Sequence, residues 1–257
     1  MKSSVIKLLK RFAVVALLAP ALAMASEGVH LDKAPVSNKQ ENLQHGAQLF
    51  VNYCLNCHGA SAVRYNKLQE IGLSEQLITD NLLFTSEKIG DLMTVALTRE
   101  DAEAWFGTVP PDLSLIARAK ASESGTGADY LYTYLRSFYR DPARPTGWNN
   151  KIFANVGMPH ALWDLQGVQT AREVTDEHGK NSIELVPPAK AGKLSAAEYD
   201  QSVADLVSFL VWIGEPVADQ RKTIGYFVLI FLAGLYVLTH ALGKNLWKDV
   251  TDPKKQP

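Results

Sequence analysis

Cys54-Leu55-Asn56-Cys57-His58 is the segment from which the architecture of this 257-residue chain can be inferred. A C-x-x-C-H pattern is typical of c-type haem attachment, because cysteines at this spacing lie on one side of a helical turn and both sulfurs can add to the porphyrin vinyl groups. His58 follows directly and is placed under the iron as an axial ligand, while its other ring nitrogen needs a backbone or carboxylate acceptor. The segment therefore predicts one covalently attached haem c, held by Cys54, Cys57 and His58.

Other uses of a cysteine pair are the alternatives. A thioredoxin-like C-x-x-C follows a strand, whereas residues 41–53, directly before Cys54, have the apolar spacing of a helix. A structural zinc site needs further ligands at suitable spacing, and the chain has only two cysteines. A chance occurrence of C-x-x-C-H is the third alternative.

Both ends of the sequence predict segments outside the haem domain. Residues 1–25 combine four basic residues, an apolar stretch and a small-x-small cleavage site, which is the pattern of a secretory signal peptide. Residues 221–243 contain a run of 19 residues without a formal charge, long enough for a transmembrane helix. We expect residues 26–220 to form a periplasmic haem domain and residues 244–257 a short cytoplasmic tail, anchored in a bacterial inner membrane. Export favours haem over a free cysteine pair, which would be prone to oxidation there.

The charge balance argues against nucleic-acid binding, since 26 basic residues face 27 acidic ones. Four of the basic residues lie in the predicted signal peptide, so its removal leaves 22 against 27, a net charge of −5. This charge is compatible with a basic protein partner and equally with ordinary solubility. Two acidic groups are candidates for a docking face: Glu100, Asp101 and Glu103, or Asp176 and Glu177.

The sixth iron ligand has to come from elsewhere in the chain. Met93 falls in an apolar helical pattern, where filling the core is the expected role. Met158 lies in an irregular loop between Gly157 and Pro159, and the glycine permits close approach of the backbone to the haem. We therefore predict Met158 as the second axial ligand, in preference to Met93 or a histidine. A thioether ligand raises the potential and fills the coordination shell, so the iron transfers electrons and does not bind substrate. The histidines considered are His30, His45, His160 and His178.

The rest of the exported region is mostly helical in pattern, with long irregular stretches. Residues 86–105 carry two short helical patterns, residues 129–139 form one broad apolar face, and residues 195–213 open with a capping box. Residues 168–174 and 182–186 flank a polar stretch. They are compatible with either a small β-hairpin or an irregular surface insertion.

After the predicted signal peptide, nearly the whole sequence resembles the cytochrome c1 family, the haem subunit of the cytochrome bc1 complex. The C-x-x-C-H segment alone is shared with most c-type cytochromes, and the other matching segments are more specific. The Met-Pro-His form of the loop around Met158 is similar to the proteobacterial members. The matching segments are residues 54–58, residues 109–115 (Val-Pro-Pro-Asp-Leu-Ser-Leu), residues 157–160 (Gly-Met-Pro-His) and residues 205–216, which lead into the apolar run.

This resemblance implies a mainly α fold, with a class I cytochrome c-like haem domain, irregular loops and one C-terminal transmembrane helix. It implies an electron-transfer subunit of quinol:cytochrome c oxidoreductase, so the chain is part of an enzyme while being itself an electron carrier. The implied partners are cytochrome b, the Rieske iron–sulfur protein as electron donor, and a soluble or membrane-bound c-type cytochrome as acceptor. In this family residues 110–113 run along the haem edge, which makes Pro111 a candidate haem-binding residue, although a rigid turn before a helix would have the same sequence.

Two other functions remain open at this point. A stand-alone, membrane-anchored monohaem cytochrome c serving an oxidase would have the same motif and anchor. A haem enzyme such as a peroxidase would need an open iron site, and the sequence has neither a recognisable distal acid–base pair nor a second C-x-x-C-H. The sequence therefore favours electron transfer over haem catalysis.

Overall fold

The computed structural model of the chain describes residues 29–175, 179, 181–188 and 191–251. The predicted signal peptide lies outside these residues. The described chain is mainly helical, as predicted. The helices are α1 (Gln40–Leu49), α2 (Glu75–Asn81), α3 (Arg99–Phe106), α4 (Ile116–Ala119), α5 (Gly127–Arg136), α6 (Trp163–Gln166), α7 (Ala196–Gly214) and α8 (Ala218–Thr251), with a π-helical turn at Phe50–Cys54 and a 3-10 helix at Tyr65–Ile71.

Short antiparallel strand pairs connect the helices. The strands are β1 (Ala60–Arg64), β2 (Leu92–Met93), β3 (Phe138–Arg140), β4 (Trp148–Asn150), β5 (Thr170–Thr175) and β6 (Asn181–Val186). β1 pairs with β2, β3 with β4, and β5 with β6. The last pair runs in register from Thr170 opposite Val186 to Thr175 opposite Asn181, which confirms the β-hairpin among the two alternatives that the sequence left open.

The core of the unit that ends at Gly214 is organised around a close crossing of α1 and α7. Gly46 makes this crossing close, because a Cβ there would lie 2.1 Å from the backbone carbonyl oxygen of Asp205 and 2.7 Å from Cβ of Phe209. The ring of Phe50, where α1 passes into the π-helical turn, lies 5.6 Å from the ring of Phe209. Both rings are fully buried. The crossing therefore fixes the end of α1 from which the cysteine motif continues.

A buried carboxylate is satisfied at the same crossing. Asp205 is 4% exposed, and its side chain accepts hydrogen bonds from Asn42 at 2.6 Å, His45 at 2.8 Å and Gln201 at 2.8 Å. A buried charge is tolerated only when it is paired and hydrogen-bonded. His45, one of the histidines considered as an iron ligand, is therefore engaged in holding α1 to α7.

The helix predicted over residues 195–213 is confirmed by α7 and by its capping box. The backbone N–H of Ser195 donates to the Glu198 carboxylate at 2.9 Å, and the N–H of Glu198 donates to the Ser195 hydroxyl at 3.4 Å. The face of α7 toward α1 is buried along most of its length. The sequence pattern was sufficient here because capping and apolar periodicity agree.

Two sequence predictions are wrong in detail. Of the two helical patterns in residues 86–105, only α3 is helical, and Leu92–Met93 is a strand because it pairs with β1. The apolar face predicted over residues 129–139 ends as a helix at Arg136, since Phe138 pairs with Asn150 across β3 and β4. In both places a tertiary strand pairing overrides a local helical preference.

The C-terminal helix α8 forms a structural unit of its own, which begins at Glu215. Within the described residues, Ala218–Lys248 is the one helix long and apolar enough to cross a membrane. Its apolar side chains are unburied, with Phe227 and Ile230 each 70% exposed. The helix extends beyond the predicted span of residues 221–243 at both ends, because its basic and polar flanks continue the helical backbone.

Candidate functional site

The cysteine motif begins on the π-helical turn that extends α1. The N–H of Leu55 donates to the Phe50 carbonyl at 3.0 Å, which inserts one extra residue into the last turn of the helix. The carbonyl of Cys54 then accepts from the N–H groups of Cys57 at 3.0 Å and His58 at 2.8 Å. The tight turn brings both cysteines and the histidine together, each partly buried.

The surroundings of both cysteine thiols disfavour the thiolate form. Burial, with a smaller contribution from Cys57, raises the pKa of the Cys54 thiol to about 12. Burial also raises the pKa of Cys57. Reactive and zinc-binding cysteines need the thiolate. Among the described residues, no group of three or more His, Cys, Asp or Glu side chains is arranged to hold a metal ion.

The imidazole of His58 is oriented by a backbone carbonyl. Its Nδ1 atom lies 2.8 Å from the carbonyl oxygen of Pro111. A carbonyl only accepts, so Nδ1 carries the proton and Nε2 keeps its lone pair. Burial lowers the pKa of His58, although the hydrogen bond to Pro111 opposes it. A neutral imidazole with Nε2 free and its second nitrogen held by an acceptor is the form that binds a metal.

The segment that carries Pro111 is joined to the chain directly after His58. The N–H of Leu113 donates to the Gly59 carbonyl at 2.7 Å, and the Asp112 carboxylate accepts from the N–H and hydroxyl of Ser61, each at 2.7 Å. The same carboxylate accepts from the N–H of Ser114 at 2.8 Å. Burial acts against ionisation, but the hydrogen bonds from Ser114 and Ser61 lower the pKa of Asp112. These contacts hold the Pro111 carbonyl against the histidine.

Asp112 is a residue whose part in this site the sequence reasoning missed. Its side chain bonds the N–H two residues on, a turn that aspartate commonly makes and that the Asp112-Leu113-Ser114 sequence could have indicated. Its bond to Ser61 joins positions 51 residues apart and had no local sequence signal.

Met158 lies in a loop that is held by side chains. Asn155 has a left-handed backbone, with φ +61°. The Arg144 guanidinium donates to the backbone carbonyl of Asn155 at 3.0 Å and to its side-chain oxygen at 3.2 Å. The backbone N–H of Asn155 donates to the Asn149 side chain at 2.8 Å. A Cβ on Gly157 would lie 3.1 Å from Cγ2 of Thr108. The loop thus lies close to the backbone that leads to Pro111.

The side chain of Met158 is partly buried beside an aromatic cluster of Phe138, Trp148 and Tyr134. The Tyr134 hydroxyl donates to its Sδ atom at 3.6 Å. Tyr134 and Arg144 are further residues that the sequence reasoning missed, because their contacts with the loop are tertiary.

The other ligand candidates that the structure describes have contacts of their own. Met93 is fully buried in β2, as a core residue would be. His160 is buried, its Nε2 lies 2.6 Å from the Gln166 side chain, and its ring stacks on Phe138 at 4.9 Å. Burial lowers its pKa to about 4, against the effect of Gln166. His30 lies 3.9 Å from Asp32, and His178 is outside the described residues.

The structure brings Cys54, Cys57, His58 and Pro111 together, while the described contacts of Met158 are with its own loop and the aromatic cluster. The acidic residues Glu100, Asp101 and Glu103 are exposed on α3. The alternative pair, Asp176 and Glu177, lies outside the described residues.

Comparison with known proteins gives consistent matches over almost the whole chain. A model of the cytochrome C1 family matches residues 32–250. Cytochrome c1 of Allochromatium vinosum is 46% identical over 239 residues, which cover 91% of this chain and 96% of that protein. Cytochrome c1 of Rhodospirillum rubrum is 32% identical over 262 residues, covering 89% and 92%. A protein of Nitrosomonas europaea named ammonia monooxygenase gamma subunit is 46% identical over 246 residues, covering 95% and 99%.

Proposed function

The chain belongs to the cytochrome c1 family, and from this premise we propose how its residues hold a c-type haem and carry electrons. The function is that of the electron-transfer haem subunit of the cytochrome bc1 complex, a quinol:cytochrome c oxidoreductase. The Nitrosomonas protein matches over the same region and at the same identity as a cytochrome c1, so it is itself cytochrome c1-like. Its name supports no separate function for this chain.

The observation that carries the haem proposal is the hydrogen bond from Nδ1 of His58 to the Pro111 carbonyl. With the proton on Nδ1, Nε2 of His58 keeps its lone pair, which is the donor an iron needs. Cys54 and Cys57 supply two sulfurs on the same turn for thioether bonds. A haem c bound there supplies one-electron redox chemistry.

We assign the second axial position to Met158. Its sulfur is partly buried and lies in a loop with a restrained backbone, whereas Met93 is enclosed in the core. With Met158 as the second residue that holds the haem, the iron would have no open position, so the chain would transfer electrons without binding a small molecule there. Pro111 orients His58 through its carbonyl, and we infer that the Pro111–Leu113 backbone lies beside the haem edge.

The proposal extends to partners and location. We infer that the chain assembles with cytochrome b and the Rieske iron–sulfur protein, receives electrons from the latter and delivers them to a c-type cytochrome. The apolar helix Ala218–Lys248 supports a single membrane crossing. The predicted signal peptide and the basic residues after the apolar run support a haem domain in the periplasm and a cytoplasmic C-terminus.

A reduced-minus-oxidised spectrum of the complex purified from membranes tests this function. Because the bc1 assembly contains both haem types, we expect b-type and c-type bands to co-purify with this chain, together with an iron–sulfur protein. A lone monohaem species extracted with mild detergent would contradict the proposal and favour a stand-alone membrane-anchored cytochrome. The experiment uses the full-length chain, purified from its own membrane.

A further inference from the structure

We propose that Tyr134 is a positioning residue for Met158, and that its hydroxyl raises the potential of the haem by hydrogen bonding to the ligand sulfur. This inference rests on the proposed function, because it requires Met158 to be an axial ligand. Tyr134 lies 24 residues before Met158, on α5, and its hydroxyl is 3.6 Å from Sδ. A thioether carries no proton, so the tyrosine is the donor.

The aromatic surroundings of Tyr134 fix the direction of its hydroxyl. Its ring meets Phe138 edge-to-face at 5.0 Å and Phe153 at 6.5 Å, and it stacks on Tyr130 at 5.8 Å with an interplanar angle of 13°. Its backbone carbonyl accepts from the Asn150 side chain at 2.8 Å. These ring contacts hold the Tyr134 ring in a position from which its hydroxyl is within hydrogen-bond distance of Sδ of Met158.

The chemistry of a thioether explains why this contact matters for a ligand. The sulfur has two lone pairs, so one can bind iron while the other accepts a hydrogen bond. The hydrogen bond withdraws electron density from the sulfur, which makes it a poorer donor to ferric iron and favours the ferrous state. It also restrains the rotation of the Met158 side chain, whose flexible thioether has no other described polar contact.

Tyr134→Phe in the full-length holoprotein tests this role, since phenylalanine keeps the ring contacts and removes only the donor. The matched control is Tyr199→Phe, which removes a buried tyrosine hydroxyl bonded to the Leu135 carbonyl at 2.9 Å. We expect Tyr134→Phe to shift the one-electron equilibrium toward ferric haem by roughly three- to tenfold, a fall of about 30–60 mV at 59 mV per tenfold. We expect the weak thioether-to-iron absorption band of the Tyr134→Phe protein to shift. We expect Tyr199→Phe to change neither the potential nor this band.

Three results would overturn or redirect the inference. If Tyr134→Phe leaves the potential and the band unchanged, the hydroxyl has no role at the ligand. If Tyr199→Phe lowers the potential equally, the effect is a general one of losing a buried hydroxyl, and the positioning role is wrong. If Met158→Leu keeps the thioether band, Met158 is not the ligand and the failure lies in the proposed axial assignment. If Met158→Leu loses the band while Tyr134→Phe changes neither the potential nor the band, the axial assignment stands and only the proposed role of Tyr134 is wrong.

Discussion

The two sides of the proposed haem site are built in different ways. On the His58 side, the ligand lies within five residues of both cysteines, and its orientation depends on the Pro111 carbonyl. On the Met158 side, the ligand lies 100 residues later, in a loop restrained by side chains of Arg144 and Tyr134. The first side is held by backbone geometry and by the proposed covalent attachment, and the second by a few tertiary contacts. The difference implies that the two sides fail differently when they are perturbed.

The largest contrast is expected between the two ligands themselves. His58→Ala should abolish nearly all normal holoprotein, because it removes the ligand that the cysteine turn positions. Met158→Leu should keep covalent haem, because the thioethers and His58 remain, but should open the sixth position to carbon monoxide. Covalent haem content after denaturing electrophoresis and carbon monoxide difference spectra measure the two effects.

Met93→Leu is the matched control, since it removes a sulfur from the core at nearly constant volume. We expect it to bind haem normally and to exclude carbon monoxide. If Met93→Leu opened the iron site and Met158→Leu did not, the assignment of the distal ligand would be reversed.

An intermediate effect, on thermal stability, is expected when Asp129 is replaced, because this residue anchors α5, the helix that carries Tyr134. The Asp129 carboxylate is buried and accepts from the N–H of Ala34 at 2.9 Å, from Lys33 at 2.9 Å and from the N–H of Thr126 at 3.1 Å. Burial would raise its pKa, but these hydrogen bonds outweigh it and hold the pKa at about 2, below the ordinary 3.8.

The lowered pKa predicts the pH dependence of stability. Because the pKa of Asp129 is lower in the folded protein than in the unfolded chain, the ionised carboxylate stabilises the fold. This stabilisation is about 2 kcal/mol at neutral pH, is complete above about pH 4 and is lost as the pH falls through about 2. Asp129→Asn should unfold at a lower temperature at pH 7 and lose less stability on acidification. Thermal unfolding of the detergent-solubilised holoprotein from pH 7 to pH 2 measures this, with the exposed Glu100→Gln as control. Parallel curves for Asp129→Asn and the parent protein would refute the prediction.

The smallest effect on stability, about 1 kcal/mol, is expected for Arg144→Ala. The substitution loses the hydrogen bonds from Arg144 to Asn155. It also removes the free-energy cost of the Nε atom, which is buried without a hydrogen-bond partner among the described residues. We expect slow carbon monoxide binding to the reduced Arg144→Ala protein and none to an Arg99→Ala control, because the loop that carries Met158 is released. Exclusion of carbon monoxide by both proteins would mean that Arg144 does not restrain the loop.

The same contrast explains how much the sequence predicted. Family membership, the mainly helical fold and α7 followed from motifs and local patterns, and all three are confirmed. The β5–β6 hairpin was one of two alternatives that the sequence left open, and the structure decides for it. The strand at Leu92–Met93 did not follow from local patterns, because its pairing with β1 depends on residues about 30 positions away. Asp112 and Tyr134 were missed for the same reason, since their partners, Ser61 and Met158, are distant in sequence. The ligand roles themselves stay predictions.

The crossing of α1 with α7 also has a consequence for the order of events during biogenesis. His45 and Asp205, which pair across it, are 160 residues apart, so the crossing closes a very large loop and forms only after α7 has been synthesised. The cysteine turn follows α1 directly, so on the proposed export route it emerges well before the helix that completes its packing. During this interval α7 does not yet pack against the cysteine turn. The proposed haem addition would therefore have a period of its own before the core closes.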